Sequence, residues 1–435
     1  MKLLPLLFLI APQLPVYSQS YTSYFTGNAN DTLVTPSGGI CMMGGAAEHD
    51  EAMKWFLQRC NGGDVLVLRA SGSNGYNAYL YSQLHIPVHS VESIVCNNAS
   101  ASYDPYVQQK IMQAEGIWFA GGDQWDYVSY WRNTPIDSLI NVAIQDRNIV
   151  IGGTSAGMAI LGGYYFSAKN GSVTSGAALA NPYTSKVTVD STAFLNCPLL
   201  ADVITDTHYD NPDRRGRHVT FLARILTDWG VEAKGIACDE YTAVCIGTDG
   251  IAHVYGDYPG SDDNAYFIQT NCEISIRHPE VCSSGNPLTW NLNGEALKVY
   301  AVKGTFAGTN TFNLMDWKSG SGGEWKNWYV NAANLSTSES DRIHCQSTSI
   351  EDSQNQDDGI RIYPNPVYTS SFTIEYAEKK PESIEIINTS GRILKILNAI
   401  QPERITIDVT DIPDGLYFIR MKMESGIIVS KIILN

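Results

Sequence analysis

The stretch NIVIGGTSAGMAIL, residues 148–161, runs from an apolar segment into a glycine-rich turn and back into apolar residues. At its centre, Gly153-Thr154-Ser155-Ala156-Gly157 fits the pattern G-x-S-x-G. A hydroxyl held in a tight turn between a strand and a helix is exposed, and small neighbours let the backbone and the helix start approach it closely. The helix N-terminus behind it favours developing negative charge. Acyl transfer needs this combination, with Ser155 as the nucleophile. The competing reading of the same residues is a plain strand–helix turn or a phosphate cradle. A serine hydroxyl is a poor nucleophile without a base in hydrogen-bond reach. Of the eight histidines, composition alone does not separate His49, His85, His89, His218 and His253 from His208 in TDTHYDN. A carboxylate should orient that imidazole. Asp206 lies two residues earlier and shares its face if the segment is a strand. Asp190, Asp202, Asp210 and Glu240 are open alternatives. Gly121-Gly122-Asp123-Gln124 closes another apolar run, and two glycines there suit close backbone approach to a ligand. Arg214, Arg215 and Arg217 form a basic run, either a solvated helix start or a pocket wall.

These residues need elements to position them. From Ile40 to Gly256, continuous apolar runs alternate with helical periodicity. GGICMMGG, DVLVLRA, VESIVC, GIWFAGG and NIVIGG read as strands. EHDEAMKWFLQRC, DPYVQQKIMQAE, IDSLINVAIQD and AGMAILGG read as helices, the second opened by Pro105. That alternation predicts a mostly parallel sheet covered on both faces, with ligands bound outside the carboxyl ends of its strands. Beyond Gly256, YFIQT, CEISIRH, ALKVYAVKG and TFNLMDW read as strands of a β-rich extension. Residues 336–358 are rich in Ser, Gln and Asp and read as a linker. The remainder alternates apolar and polar residues with period two, as a small antiparallel β-sandwich does.

The 435 residues can bury a large core without a staple. A net charge of −16 argues against nucleic acid or an anionic membrane as the main partner. Lys2, the apolar run Leu3 to Ala11 and the Val16-Tyr17-Ser18 site read as a signal peptide cleaved near Ser18. The run is too short for a membrane span and is broken by Pro12 and Pro15, and no other stretch is long and apolar enough. Nine cysteines in an exported chain suggest some disulfides, and Cys272 and Cys282 are close enough in sequence to close a short loop. Cys41, Cys197, Cys238 and Cys245 lie in apolar runs and read as buried thiols. There is no C-x-x-C pair or His/Cys cluster, and no metal or organic cofactor is expected.

Taken in order, WFAGGDQ, GGTSAGMA, DTHYDNPDRRGRH and GIACDEYTAV resemble the cyanophycinase and dipeptidase E family of serine peptidases, closest to its cyanophycinase branch. The resemblance implies an α/β fold, a three-layer α/β/α sandwich of the class I glutamine amidotransferase type. It implies Ser155 as nucleophile and His208 as base, with an oxyanion hole from the Ala156 N–H and one N–H of Gly121-Gly122. It places Gln124, Asp206, Arg215 and Arg217 in the substrate pocket, the arginines binding acidic groups. Acidic residues at Asp239-Glu240 are a family trait, read here as support for neighbouring loops. Two departures stand out. YDNPDR lengthens the loop after His208, and Thr220 stands where a further arginine is usual, the next being Arg224, which could return to the same helix face as Arg217. The implied activity is hydrolysis of Asp-containing peptides through an acyl-enzyme, with release of β-Asp-Arg dipeptides from a cyanophycin-like polymer. An esterase or amidase on the same scaffold and a catalytically dead surface-binding protein are the alternatives. A homodimer is compatible with the sequence.

The tail resembles the C-terminal sorting domain of the type IX secretion system through Tyr363-Pro364-Asn365-Pro366, Ser390-Gly391-Arg392, Pro413-Asp414-Gly415-Leu416-Tyr417 and Lys431-Ile432-Ile433-Leu434. It implies a partner in that secretion machinery and a location at the cell surface or outside. The expected organisation is therefore signal peptide 1–18, catalytic domain 21–256, extension 257–335, linker 336–358 and sorting domain 359–435.

Overall fold

Apolar runs with a residue buried on each face can only be strands of a covered sheet, and those of the N-terminal half form one. The computed structural model describes residues 19–191, 194–344, 360–365, 367, 370–376, 381–388, 393–398, 404–413, 415–423 and 426–434. The expected signal peptide, residues 345–358 of the expected linker and the Ser390-Gly391-Arg392 turn lie outside them.

The chain begins with strands β1 (Tyr21–Gly27), β2 (Gly39–Met43), β3 (Asp64–Arg69), β4 (Ser90–Cys96), β5 (Gly116–Phe119) and β6 (Val150–Thr154). Helices α1 (Asp50–Arg59), α2 (Gly75–Ala78), α3 (Pro105–Gln113), α4 (Gln124–Trp131) and α5 (Pro135–Asp146) connect them, and α6 (Ala156–Ala159) follows β6 directly. The strands β4-β3-β5-β6-β2 pair in parallel, with β1 antiparallel on the outer edge. Helix α1 buries Met53, Phe56 and Leu57 on Val65, Val67 and Trp118, as its apolar spacing requires. Helix α3 opens on Pro105, with Asp104 accepting a hydrogen bond from the Tyr106 N–H.

The remaining elements of this body are β7 (Tyr165–Phe166), α7 (Ser175–Ala180), β8 (Val189–Asp190), β9 (Val203–Asp206), α8 (Arg215–Trp229), β10 (Lys234–Cys238), β11 (Ala243–Ile246), β12 (Ile251–Tyr258) and β13 (Asn264–Thr270). They continue through β14 (Leu297–Lys303), β15 (Asn310–Asn313), β16 (Gly320–Ser321), β17 (Gly323–Asn331) and β18 (Asn334–Glu339). The first sheet grows from β2 through β11, β12, β15 and β16, all antiparallel, to ten strands. A second sheet of six strands runs β18-β17-β14-β13-β10-β9, with only β9 and β10 parallel.

Beside the sheet with its parallel core, the β-rich extension expected from the sequence takes part in a second sheet, and the reason is a second core. Helix α8 buries Val219, Phe221, Leu222, Ile225 and Leu226 among Ile204, Ile268, Leu297, Val299 and Trp328. Residues 257–335 supply strands to both sheets and side chains to that core, so they are part of the same folded body, which reaches His344. CEISIRH is a turn rather than a strand: Arg277 donates to the Ile274 and Cys272 carbonyls and folds the segment on itself. Cys272 is disulfide-bonded but Cys282 is a free thiol, so the expected loop between them is not formed. Cys41, Cys197, Cys238 and Cys245 are buried free thiols, as their apolar surroundings predict.

The C-terminal unit contains β19 (Ile360–Tyr363), β20 (Ser371–Tyr376), β21 (Ser383–Asn388), β22 (Ile393–Asn398), β23 (Arg404–Asp408), β24 (Gly415–Met423) and β25 (Gly426–Leu434). They form two antiparallel sheets, β19-β20-β23 and β22-β21-β24-β25. Period-two burial packs Phe372, Ile374, Ile384, Ile386, Ile407, Ile419 and Ile432 between them. Asn365 bonds to the carbonyl of Lys431 and the N–H of Ile433, which ties it to the terminal strand. No helix among the described residues is long and apolar enough to cross a membrane.

Removing residues 257–435 strips Leu297, Val299 and Trp328 from the second core. The shortened chain should keep far-ultraviolet ellipticity, lose its near-ultraviolet signal and bind an apolar dye. A cooperative unfolding transition like that of the full chain would contradict this.

Candidate active site

Strand β6 ends at Thr154 and helix α6 begins at Ala156, which leaves Ser155 as the single residue of the turn. Its backbone is at φ 51° and ψ −115°, a region that a non-glycine residue occupies only when its surroundings impose it. The flanking glycines show how. A Cβ on Gly157 would sit 2.1 Å from the Phe119 carbonyl oxygen, and one on Gly153 would sit 2.6 Å from the Gly157 carbonyl carbon. The tight packing of α6 on β5 and β6 therefore holds the elbow. Ala156 is the first helical residue, so its N–H has no carbonyl partner within the helix. Gly121 lies beside it: a Cβ there would be 3.6 Å from that of Ser155.

His208 follows the end of β9, also at positive φ (46°). Its Nε2 is 2.8 Å from Ser155 Oγ, and its Nδ1 is 2.6 Å from Glu240 Oε1. The carboxylate can only accept, so the proton sits on Nδ1 and Nε2 is left to accept from the serine hydroxyl. Glu240 is itself held: Oε2 accepts from Asn211 Nδ2 at 3.2 Å, and its N–H donates to Asp210 Oδ1 at 2.9 Å. The bond from His208 is the main influence keeping its carboxyl below the usual range. The other described histidines with ring hydrogen bonds have different partners. His218 is buried against Tyr209 and the Ile204 carbonyl, and burial pushes it down to about 4. His89 pairs with Asp64, and His253 with the Gly308 carbonyl.

Ser155 stands on the first sheet, while His208 and Glu240 stand on the second. The end of β2 joins them. The Met43 carbonyl accepts from the Ser155 N–H (3.1 Å), the Gly44 carbonyl from the His208 N–H (2.8 Å), and the Gly45 carbonyl from the Tyr241 N–H (3.0 Å). The Gly44 N–H donates to the Thr242 carbonyl at 2.9 Å. A Cβ on Gly45, at φ +116°, would be 2.4 Å from His208 Nε2, and one on Gly44 would be 2.0 Å from the Asp239 carbonyl oxygen. The sequence reading of GGICMMGG stopped at a strand bounded by glycines. The signal was present as two adjacent glycines at a carboxyl strand end, where ligands of such sheets bind.

The pocket residues read from the sequence divide differently. Gln124 opens α4 and donates to the Phe166 carbonyl at 3.3 Å, with Asp123 capping that helix. Asp206 and Arg217 are each 3% exposed and bond to each other in a forked pair, at 2.8 and 2.5 Å. Burial pushes the Asp206 carboxyl up, but Arg217 outweighs it and holds it below the usual range. Neither side chain has surface for substrate, and Asp206 does not orient His208; the pair locks β9 to α8 beneath the site. Arg215 keeps substantial exposure and pairs with Asp213 at 2.6 Å. Arg214 donates to the Thr207 carbonyl at 3.0 Å. Arg224 stacks on Tyr183 and pairs with Asp228, so it does not replace the arginine missing at Thr220. Glu240, one of the five carboxylates left open by the sequence and favoured there as loop support, is the one that reaches the imidazole. No cluster of three metal-ligating side chains occurs among the described residues.

Residues 33–253 match the family model described as Peptidase family S51, and residues 361–435 that of a Secretion system C-terminal sorting domain. A cyanophycinase of Synechococcus elongatus is 25% identical over 227 residues, 50% of this chain and 66% of that protein. A cyanophycinase of Geminocystis herdmanii is 24% identical over 221 residues, 49% of this chain and 75% of that protein. Thus the chain spans about two thirds of the length of the first of these relatives. A solved peptidase from an acI-B1 Actinobacterium shares 17% identity over 53% of this chain and 90% of its own, with a TM-score of 0.38. The elbow at Ser155, and a family match that covers half the sequence around it, lead to one assignment: the chain belongs to peptidase family S51, with a secretion-system sorting domain at its C-terminus.

Proposed function

We propose that the chain is an exported serine peptidase that cleaves peptides with an aspartyl carboxylate beside the scissile bond. The observation that carries this reading is the continuous hydrogen-bonded chain Ser155–His208–Glu240, at 2.8 and 2.6 Å. Ser155 Oγ attacks the amide carbonyl while His208 Nε2 takes its proton. Glu240 stabilises the imidazolium that results and keeps the ring in its tautomer. The Ala156 N–H and a backbone N–H of Gly121-Gly122 receive the oxyanion, which gains most from donors fixed before the charge appears. His208 returns the proton to the leaving amine, the acyl-enzyme forms, and water admitted by the same base hydrolyses it.

Substrate choice follows from charge. Arg215 is the exposed cation of the RRGR run and keeps donors free to meet a carboxylate beyond those held by Asp213. Gln124, two residues past Gly122 at the start of α4, would bond the substrate backbone through its side-chain amide. Relatives that bear the name cyanophycinase support a polymer of this chemistry, with β-Asp-Arg dipeptides as product. The sorting domain supports delivery to the cell surface or beyond by the type IX machinery.

Ser155→Ala, shown to be folded by its melting profile, should lower hydrolysis of cyanophycin and of Asp-containing peptides by at least about 10³-fold. Turnover equal to the parent would refute the proposal. Glu240→Gln leaves the geometry but removes the acceptor that fixes the tautomer. It should lower kcat about 10²- to 10⁴-fold with KM little changed, and parent-like kcat would remove Glu240 from the mechanism.

A further inference from the structure

Glu240 must meet His208 from a turn, and a turn needs something to hold it. The residue before it supplies the means. Asp239 is 3% exposed at the end of β10, and its N–H donates to the Asn264 carbonyl at 3.0 Å. Its Oδ2 accepts twice from Asn264, from the backbone N–H at 3.1 Å and from Nδ2 at 3.0 Å. Asn264 is the first residue of β13 and is itself fixed, Nδ2 donating to the Asp262 carbonyl at 2.6 Å. On the opposite side, the Asp239 carbonyl accepts from the Thr242 N–H at 3.3 Å and lies against Gly44. The backbone at Asp239 is thus gripped between β13 and the end of β2, and Glu240 is the next residue.

This grip carries a cost. Asp239 Oδ1 is buried without a hydrogen-bond partner among the described residues. Burial pushes the carboxyl up to about 7, the Asn264 bonds oppose that, and Asp210 and Asp262 add to it. A carboxyl with one starved oxygen is a poor choice for stability alone.

We propose that Asp239 and Asn264 are positioning residues that place the Glu240 carboxylate on His208, so that the β-rich segment acts in catalysis through β13. The proposal rests on the Ser155–His208–Glu240 reading. It also accounts for why β13, beyond residue 256, pairs with β10, the strand that leads into the Glu240 turn.

The test is a double-mutant cycle on the full-length chain, with kcat and KM measured well below the melting transition. Asp239→Ala should lower kcat about 10- to 100-fold with KM within about twofold, because a small misplacement of a catalytic group costs that much. Asp239→Asn keeps an acceptor for both Asn264 donors and should stay within about threefold of the parent. In a Glu240→Gln background, Asp239→Ala should cost almost nothing further, since it acts through the group already lost. Should Asp239→Ala fail to fold, Asn264→Ala, which leaves every backbone bond in place, takes its position in the cycle. Equal losses from Asp239→Ala in both backgrounds, or no loss in either, would overturn the clamp while leaving the triad intact. Parent-like kcat in Glu240→Gln alone would instead overturn the triad reading beneath it.

Discussion

Three consecutive carbonyls at the end of one strand fix the geometry on which the rest depends. Met43, Gly44 and Gly45 accept from Ser155, His208 and Tyr241 in turn, so a single stretch of backbone sets where Ser155, His208 and the turn bearing Glu240 stand. The arrangement is needed because these groups come from two sheets with two cores. Backbone bonds are the stiffest available join between them, and only glycine leaves room for an imidazole and a neighbouring carbonyl to pack on that join. Preorganisation of this kind is what acyl transfer rewards, since dipoles and proton acceptors fixed in advance need no reorganisation when charge develops.

The buried Asp206–Arg217 pair serves the same end from below. Taking both charges out of water is expensive, and the forked bond recovers the cost only if its geometry is kept. Loss of either partner leaves an uncompensated charge worth about 3–5 kcal/mol, so strand β9 and helix α8 are held in one register. His208 leaves the end of that strand, two residues past Asp206. The basic run after His208 is therefore divided: Arg217 is buried against Asp206, and Arg215 stays exposed beside Asp213.

Much of this was legible in the sequence where local rules dominate. The parallel strands, the helix opened by Pro105 and the elbow at Ser155 follow from periodicity, capping and small residues. His208 was singled out by family resemblance, and it lies within hydrogen-bond reach of Ser155. The choice among five carboxylates was beyond the sequence, because β9 and β10 pair in parallel while His208 and Glu240 lie 32 residues apart. Asp206 has the right spacing but turns to Arg217, a partner 11 residues away that spacing alone does not reveal. The second sheet was hidden for a similar reason: short alternating strands do not state which sheet they join. CEISIRH alternates like a strand, yet Arg277 bonds back to its own segment and makes it a turn.

The central claim is that the Met43–Gly45 backbone holds the two halves of the site together. The most direct measurement is the rate at which a fluorophosphonate labels Ser155 in Gly45→Ala, compared with the parent at equal folded fraction. A methyl group there must displace the imidazole, from which it would otherwise lie 2.4 Å. The account predicts labelling slowed about 100-fold at equal folded fraction, together with a lowered melting temperature from the strain of a side chain at φ +116°. Labelling at the parent rate in a folded variant would show that His208 does not depend on that strand end, and would contradict it.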